Sequence, residues 1–167
     1  AASGGGHRYK LLPGSAVTAQ RGEDLRNLKV FIAYNGAAYH GFQRQDNALT
    51  VQEAVENSIG KLLKIPAPVI YGCSRTDTGV HARQFCFNVH VDSRIPCEGF
   101  VKGMNTLLPP DIAVLSCEDV PEDFHARYCT KSKEYVYLIA NTVQRDVFLQ
   151  NLAYHYPYPL DLDTVSY

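Results

Sequence analysis

The chain lacks any apolar run approaching the roughly 20 residues that a membrane-spanning helix needs, and beyond its N-terminal tail it shows no internal repeat or low-complexity tract. It also lacks the composition of a disordered protein, because hydrophobic residues make up 46% of its 167 residues and charged residues 20%. These absences argue against membrane-spanning, repeat and disordered classes. They predict one soluble globular domain with a buried core.

The cysteines show no metal-binding or disulfide pattern, since they are odd in number, widely spaced and form no Cys-x-x-Cys pair. They are Cys73, Cys86, Cys97, Cys117 and Cys129. Pro96-Cys97 is one part of a zinc deaminase motif, but no His-x-Glu is present and position 100 holds Phe100, not a second cysteine. We therefore expect free thiols in a reducing compartment and no metal site.

The net charge of −1 does not indicate a strongly basic nucleic-acid binder. The two halves differ, however. Residues 1–94 contain 11 Lys/Arg and 7 Asp/Glu, a net charge of +4, and residues 95–167 contain 5 and 10, a net charge of −5. A nucleic-acid surface would therefore be concentrated on the first half. An uneven solvated surface explains the same asymmetry equally well.

The N-terminal tail contains no Asp or Glu in residues 1–22, is rich in Gly, Ala and Ser, and carries Arg8, Lys10 and Arg21. The remainder of an organellar presequence has this composition, and so does a flexible terminal extension. We expect a flexible extension over residues 1–27 and one domain over residues 28–167. The first interpretation predicts a mitochondrial or other organelle matrix location, and the cytoplasm is the alternative.

Hydrophobic periodicity predicts a chain of strands and two helices. Thr50 and Glu53 form a capping-box pattern, so one helix is expected from there to Pro66. The second helix is expected over residues 97–108. The predicted strands are 28–34, 69–73, 85–91, 112–115, 133–140 and 152–156. This order predicts an α+β fold with a mainly antiparallel sheet, helices on one face, and aromatic and basic residues on the other.

Arg75-Thr76-Asp77-Thr78-Gly79 lies between two predicted strands. An aspartate carboxylate is ionised at neutral pH, so it can attack carbon without a base to activate it. Arg75 could hold that carboxylate and offset its repulsion from a nucleic-acid phosphate. An ordinary turn with a surface ion pair has the same spacing.

Two further segments combine aromatic, amide and basic residues, which are the residue types that stack on bases and bind phosphate. The first is the run 34–45, which we name the first loop. The second is 123–128, followed by Lys131, Lys133 and Tyr135. A polar loop with its aromatic rings in the core is the alternative for the first, and a core position is the alternative for Tyr135.

These segments together resemble the tRNA pseudouridine synthase A family over residues 28–159. The family's catalytic signature, Gly-Arg-Thr-Asp-Ala-Gly-Val-His, is matched by Ser-Arg-Thr-Asp-Thr-Gly-Val-His at 74–81. Its Tyr-Asp-Gly-x-x-Tyr-x-Gly-Trp-Gln-Arg-Gln run is matched at 34–45, where Asn35 and Phe42 depart from it. Residues 105–114, 120–127 and 135–137 are also similar to the family.

The resemblance implies an isomerase that converts uridine to pseudouridine in the tRNA anticodon stem-loop without cofactor or metal. It implies Asp77 as the nucleophile, Arg75 as the residue that orients it, and Tyr135 as an active-site ring that stacks on the base. We further expect Arg44, Arg75, Arg83 and Tyr135 on one RNA-facing side of the sheet. The full set of expected RNA contacts is Tyr34, Tyr39, Gln43, Arg44, Gln45, Thr76, His81, Arg83, His125 and Arg127.

Members of that family are longer, so the resemblance covers only their N-terminal catalytic half. We expect RNA as the partner, either tRNA or rRNA, and no membrane. Either the chain is a fragment, or the missing C-terminal half comes from a homodimer or from a partner chain. The alternative function is a catalytically silent RNA-binding component of a ribonucleoprotein, such as a mitochondrial ribosome or its assembly intermediate.

Overall fold

An antiparallel sheet of four strands forms the centre of the computed structural model, which describes residues 25–165. The elements in chain order are β1 Leu25–Tyr34, α1 Val51–Leu63, β2 Ile70–Gly72, β3 Ala82–Asp92, α2 Cys97–Leu107, β4 Ile112–Val120, α3 Ala126–Cys129, β5 Ile139–Ala140, β6 Tyr154–His155 and α4 Leu162–Val165. Two 3-10 turns lie at Gly36–Ala38 and Val147–Leu149. The α+β prediction, with a mainly antiparallel sheet, is confirmed.

The central strand is β1, because the sheet order is β2-β3-β1-β4 and β1 pairs antiparallel with both neighbours. Its residues alternate, as a strand with one buried face must. Leu28, Val30 and Ile32 are fully buried and lie opposite Val89, Phe87 and Phe85 of β3. This face of the sheet carries the hydrophobic core.

Helix α1 begins where the capping box predicts. The Thr50 side chain accepts a hydrogen bond from the Glu53 amide at 3.3 Å, and the helix ends at Leu63 with Lys64 in the left-handed conformation (φ 56°). Val51, Val55 and Ile59 are fully buried. The expected apolar face of this helix is therefore confirmed.

Helix α2 packs beside α1 and is tied to β4. The Asn105 side chain donates to the Val114 carbonyl at 2.9 Å and accepts from the Val114 amide at 2.7 Å. Strand β4 runs to Val120, five residues beyond the predicted strand. The extension is held by β1, because Lys29 pairs with Glu118 and Arg26 with Asp119, both at 2.6 Å.

The opposite face of the sheet is crossed by residues 121–129, which are anchored through two asparagine side chains. Asn88 is fully buried; it donates to the Asn27 side chain at 3.0 Å and accepts from the Ala126 amide at 2.9 Å. Asn27 also donates to the Phe124 carbonyl at 2.9 Å. These bonds fix α3 against β2 and β3.

The predicted strand over 133–140 is wrong for most of its length. Only Ile139–Ala140 form a strand, paired in parallel with Tyr154–His155, and residues 133–138 are exposed. An alternating sequence becomes a strand only where a neighbour satisfies its backbone groups. No other segment within residues 25–165 pairs with 133–137, and the Leu138 carbonyl accepts from the Tyr154 amide at 2.7 Å.

Strand β1 begins at Leu25, inside the expected extension 1–27. The rest of that extension, and with it the presequence interpretation, lies outside the described residues. No helix in the described part is long and apolar enough to cross a membrane.

Candidate active site

The segment 73–81 joins β2 to β3 at the edge of the sheet, and we call it the catalytic loop because it carries Asp77, the expected nucleophile. Asp77 is exposed there, and its carbonyl accepts from the Val80 amide at 3.2 Å, which closes a tight turn. Gly79 within this turn has φ +77°, a conformation that favours glycine. The turn therefore presents the Asp77 carboxylate to solvent.

The catalytic loop is fixed to the first loop by hydrogen bonds, three of which lie close to Asp77. The Phe42 amide donates to the Thr76 carbonyl at 3.1 Å, and the Gly79 amide donates to the Tyr39 carbonyl at 3.2 Å. The Tyr34 hydroxyl and the Thr76 hydroxyl lie 2.9 Å apart. These bonds flank Asp77 on both sides, so the loop that carries it is held in one position.

Two glycines of the first loop allow this close approach. A Cβ on Gly41, which has φ +85°, would lie 2.4 Å from the Thr76 carbonyl oxygen, and a Cβ on Gly36 would lie 2.0 Å from that of Val80. No side chain fits at either distance. The glycines in the family-like run 34–45 are therefore explained by backbone packing against the catalytic loop.

His81 connects the catalytic loop to two other segments. Its Nδ1 atom accepts from the Gly36 amide at 3.0 Å, so the proton of the neutral ring is on Nε2. Nε2 then donates to the Asn151 carbonyl. Both ring nitrogens are thus used inside the protein, and the expected contact of His81 with RNA stays a prediction.

The aromatic rings of the first loop lie beneath the catalytic loop. Tyr34, Tyr39 and Phe42 are 4%, 3% and 1% exposed. Phe42 stacks on Phe85 with ring centroids 4.2 Å apart, and the Tyr39 hydroxyl donates to Asp111 at 2.7 Å. The sequence left open the alternative that these rings lie in the core, and the structure shows them there. RNA contact by Tyr34 or Tyr39 stays a prediction.

Burial keeps both phenols neutral. Burial raises the pKa of Tyr34 to about 12 against the lowering effect of its bond to Thr76. Burial also raises the pKa of Tyr39 well above its ordinary value, and the neighbouring Asp111 carboxylate adds to that rise. We infer that these two groups support the loop and do not exchange protons at neutral pH.

Arg44 lies against helix α1, and its expected place on one face with Arg75 and Arg83 stays a prediction. Its guanidinium pairs with Glu56 at 2.7 Å and with Glu53 at 3.3 Å. Helix α1 and its two carboxylates cover the core face of the sheet, so the ion pair holds Arg44 on that side. The first loop is further tied to α1 because Gln43 and the Arg44 amide both donate to the Gln52 side chain.

Gln45 donates to the His40 carbonyl at 2.8 Å and so stays within its own loop. Arg75 and Asp77 are both exposed, and no ion pair or hydrogen bond joins their side chains within residues 25–165. Arg83 is exposed on β3. The orientation of Asp77 by Arg75 stays a prediction.

Tyr135 is 73% exposed and lies in the segment that forms no strand. No hydrogen bond or ring contact among the described residues joins it to the catalytic loop. His125 and Arg127 lie at the start of α3, where the His125 Nδ1 accepts from the Arg127 amide at 3.2 Å. The structure therefore brings together Thr76, Asp77 and His81 with Tyr34 and Tyr39, but not Tyr135.

Sequence reasoning did not identify Asn151 as part of this region. Asn151 has φ 62°, and asparagine tolerates that left-handed conformation better than most residues. The turn preference of asparagine was the available signal. No cluster of three or more His, Cys, Asp or Glu side chains in the described part of the chain could hold a metal ion.

Comparison with known proteins gives one consistent family. A family model described as tRNA pseudouridine synthase matches residues 30–129. The tRNA pseudouridine synthase A of Clostridium acetobutylicum is 43% identical over 83% of this chain and 57% of its own length. That of Ruminiclostridium cellulolyticum is 44% identical over 78% and 53%, and tRNA pseudouridine synthase A 2 of Clostridium perfringens is 40% identical over 85% and 58%.

The chain therefore spans a little over half the length of the curated relatives it matches. Those relatives are bacterial, and they say nothing of an organelle location. The matched region, residues 30–129, includes the first loop, the catalytic loop with Asp77, and the segment from β4 to α3. The chain belongs to the tRNA pseudouridine synthase family.

Proposed function

We propose that this chain provides the catalytic half of a synthase that isomerises uridine to pseudouridine in the tRNA anticodon stem-loop, with Asp77 as the nucleophile. The observation that carries the proposal is the exposed, unpaired carboxylate of Asp77 on a fixed loop. Its carboxylate is exposed and has no ion pair in the described residues, although the loop around it is fixed on both sides. Covalent catalysis requires a nucleophile that is free to react and held in a fixed position, and the unpaired Asp77 carboxylate on this loop meets both conditions.

The reaction needs access to one nucleotide, because a uridine inside a stacked stem presents neither its ribose nor its ring to a carboxylate. We therefore expect the target nucleotide to be extruded onto the catalytic loop. Asp77 attacks the ribose or the pyrimidine, the glycosidic C–N bond breaks, the uracil turns in place, its C5 bonds to the sugar, and the bond to Asp77 breaks again. C5 releases one proton and N1 takes one up, so the isomerisation consumes no cofactor.

Arg75 and Arg83 are proposed to meet the RNA. Both are exposed, and neither is neutralised by a carboxylate within residues 25–165. Neutralisation of phosphates supplies much of the affinity of proteins for nucleic acids. Arg75, two residues from Asp77, is placed to pair with the carboxylate or with a phosphate of the extruded nucleotide.

We also propose that a second half, of the kind that the longer relatives have, covers residues 135–154. Large apolar side chains are exposed along this segment: Tyr135 73%, Tyr137 88%, Val143 75% and Phe148 87%. Water-exposed apolar area costs about 25 cal/mol per Å² relative to burial, and such patches mark interaction surfaces. That half is supplied by further residues of the same protein, by a partner chain or by a homodimer, and we expect it to complete the active site.

The substrate position can be tested with a tRNA transcript whose uridines carry tritium at C5. Tritium release reports the bond that forms at C5, and mass spectrometry of nuclease fragments locates the pseudouridine. We expect modification confined to the anticodon fragment and absent from a transcript in which the uridines of that stem-loop are replaced by cytidine. Modification elsewhere would contradict the proposed site. RNA binding without any release would favour the silent RNA-binding component.

A further inference from the structure

Three aromatic rings form a row on the sheet face opposite α1 and α2. The Tyr71 and His125 ring centroids are 5.1 Å apart, and the His125 and Tyr128 centroids are 4.5 Å apart. The planes of neighbouring rings are inclined at 47° and 41°. We name these three residues the aromatic row. Its outer ring is free, since Tyr128 is 79% exposed.

The row is positioned by buried polar contacts. Tyr71 is the register partner of Asn88, so their side chains share one face of the sheet. The fully buried Asn88 side chain accepts from the Ala126 amide, and His125 and Tyr128 lie on either side of that anchor. The Tyr128 amide also donates to the His125 carbonyl at 3.0 Å. The rings are therefore held in place before any ligand arrives.

Arg127 offers the row a contact for a phosphate. Residues 122–134 contain Arg127, Lys131 and Lys133 together with Glu122, Asp123 and Glu134, so the segment has no net charge. Arg127 is exposed, however, and its guanidinium forms no ion pair within residues 25–165. An exposed ring beside an unpaired guanidinium combines the two components of single-strand recognition, a stacking surface and phosphate neutralisation.

The row also lies near the catalytic loop. Tyr71 is on the edge strand β2, which leads directly into that loop, and Asp77 follows it by six residues. Six residues of extended chain span at most about 20 Å. One RNA strand can therefore contact both places, a few nucleotides apart.

We propose that the open face of Tyr128 stacks on an unpaired base of the substrate RNA, outside the nucleotide that is modified. The aromatic row supports the ring from behind, and Arg127 contacts an adjacent phosphate. The site takes a single-stranded base of any identity, because every base has an aromatic face. This inference rests on the proposed function only for the choice of RNA.

The absence of tryptophan from the chain makes the test direct. Tyr128→Trp introduces a single fluorophore at the end of the row. Tyr158→Trp is the control, because Tyr158 is 66% exposed and lies outside both the aromatic row and the segment 135–154. The probes are a synthetic anticodon stem-loop, the same RNA with abasic loop positions, and a fully paired duplex.

We expect saturable quenching of Tyr128→Trp by the stem-loop, much weaker quenching by the abasic RNA and the duplex, and little change in the control. Tyr128→Ala should weaken stem-loop binding roughly 5- to 100-fold, the usual effect of removing one stacked ring. Tyr128→Phe should bind like the original chain. On the abasic RNA the alanine variant and the original chain should bind equally.

The outcomes separate the two proposals. Stem-loop binding that leaves the Tyr128→Trp emission unchanged overturns the stacking role, and so does blue-shifted emission in the free protein, which would show the ring covered. An equal loss for Tyr128→Ala on stem-loop and abasic RNA also overturns it. Quenching and binding without pseudouridine formation, when the second half is present, support the stacking role and contradict the proposed reaction.

Discussion

The Nδ1 atom of His81 accepts a hydrogen bond from the backbone amide of Gly36, 3.0 Å away. The opposite ring nitrogen donates to the carbonyl of Asn151. One imidazole therefore joins the catalytic loop to the turn after β1 and to the segment before β6. We infer that His81 is a positioning residue for the catalytic loop.

Substitutions of His81 should separate its two contacts. His81→Asn places an acceptor near the Nδ1 position and should keep the Gly36 bond, and His81→Gln reaches the Nε2 position and should keep the Asn151 bond. Hydrogen exchange followed by mass spectrometry should show faster exchange at 147–155 in the first variant and at 36–39 in the second. His81→Ala should accelerate hydrogen exchange in both segments.

His40→Ala is the control, because His40 is exposed and its side chain has no hydrogen bond in the described residues. If the asparagine and glutamine variants exchange alike in both segments, His81 does not make two separable contacts.

Gly41→Ala and Gly79→Ala should lower the free energy of unfolding by different amounts, although both positions have positive φ. Gly79 has φ +77° and open space around its Cα, so alanine adds only backbone strain, about 1–2 kcal/mol. Gly41 has φ +85°, and a Cβ there would lie 2.4 Å from the Thr76 carbonyl oxygen. We expect a larger loss of unfolding free energy in urea for Gly41→Ala, together with a lower kcat. Equal losses for the two variants would show that the close approach is absent.

Tyr34 should make the folded protein sensitive to alkaline pH. Its pKa is raised from 10.0 to about 12 by burial, so the folded state holds the phenol proton more tightly than the unfolded state does. The stabilisation is complete below pH 10.0 and is lost as pH rises to about 12, a change of about 2–3 kcal/mol. Tyr34→Phe should lose about 1 kcal/mol at neutral pH with the Thr76 bond.

The check is the unfolding free energy of the original chain and of Tyr34→Phe as pH rises from 8 to about 12. The Cys86 thiol, whose pKa burial raises to about 11, and the Tyr39 phenol contribute to the slope in both proteins. Their contribution cancels in the comparison. An unchanged slope in Tyr34→Phe would contradict the assigned pKa.

Arg44→Ala should destabilise the fold, because it leaves the Glu56 carboxylate, 2% exposed, without its cation. Glu56 keeps its bonds from the Gln52 side chain and the Ile70 amide, and Arg44 is about half exposed. We therefore expect a loss of about 1–2 kcal/mol, below the cost of breaking a fully buried pair. Adding Glu56→Gln should recover part of it.

The same variant tests whether Arg44 contacts RNA. If it binds a phosphate, Arg44→Ala should lower the slope of log affinity against log salt by about one. An unchanged slope with reduced stability would assign Arg44 to the fold alone.

Local sequence patterns predicted the helices and strands whose buried face is visible in the sequence. The Thr50 capping box and the apolar stripe through Val51, Val55 and Ile59 specify α1 within a few residues, and the alternation over 85–91 specifies β3. The pattern over 133–140 is equally regular, yet it forms a strand only at Ile139–Ala140. Strand formation depends on a partner, and a sequence pattern does not state whether the partner is present.

The direction of side chains in loops was harder to predict. The composition of the first loop admitted both stacking rings and core rings, and the structure buries Tyr34, Tyr39 and Phe42. The contact between His81 and Asn151 joins residues 70 positions apart. Such pairs arise from the tertiary fold, so the catalytic motif could be recognised in the sequence although its supports could not.

The direct test of the central claim compares Asp77→Asn with the original chain on a tRNA substrate, each together with the second half that completes the site. The amide keeps the shape of the side chain but cannot act as a nucleophile, so pseudouridine formation should fall by roughly three orders of magnitude or more while RNA affinity stays within about twofold. Asp46→Asn, at an exposed position of the chain, is the control and should retain full activity. Retained turnover in Asp77→Asn would contradict the assignment of Asp77 as the nucleophile.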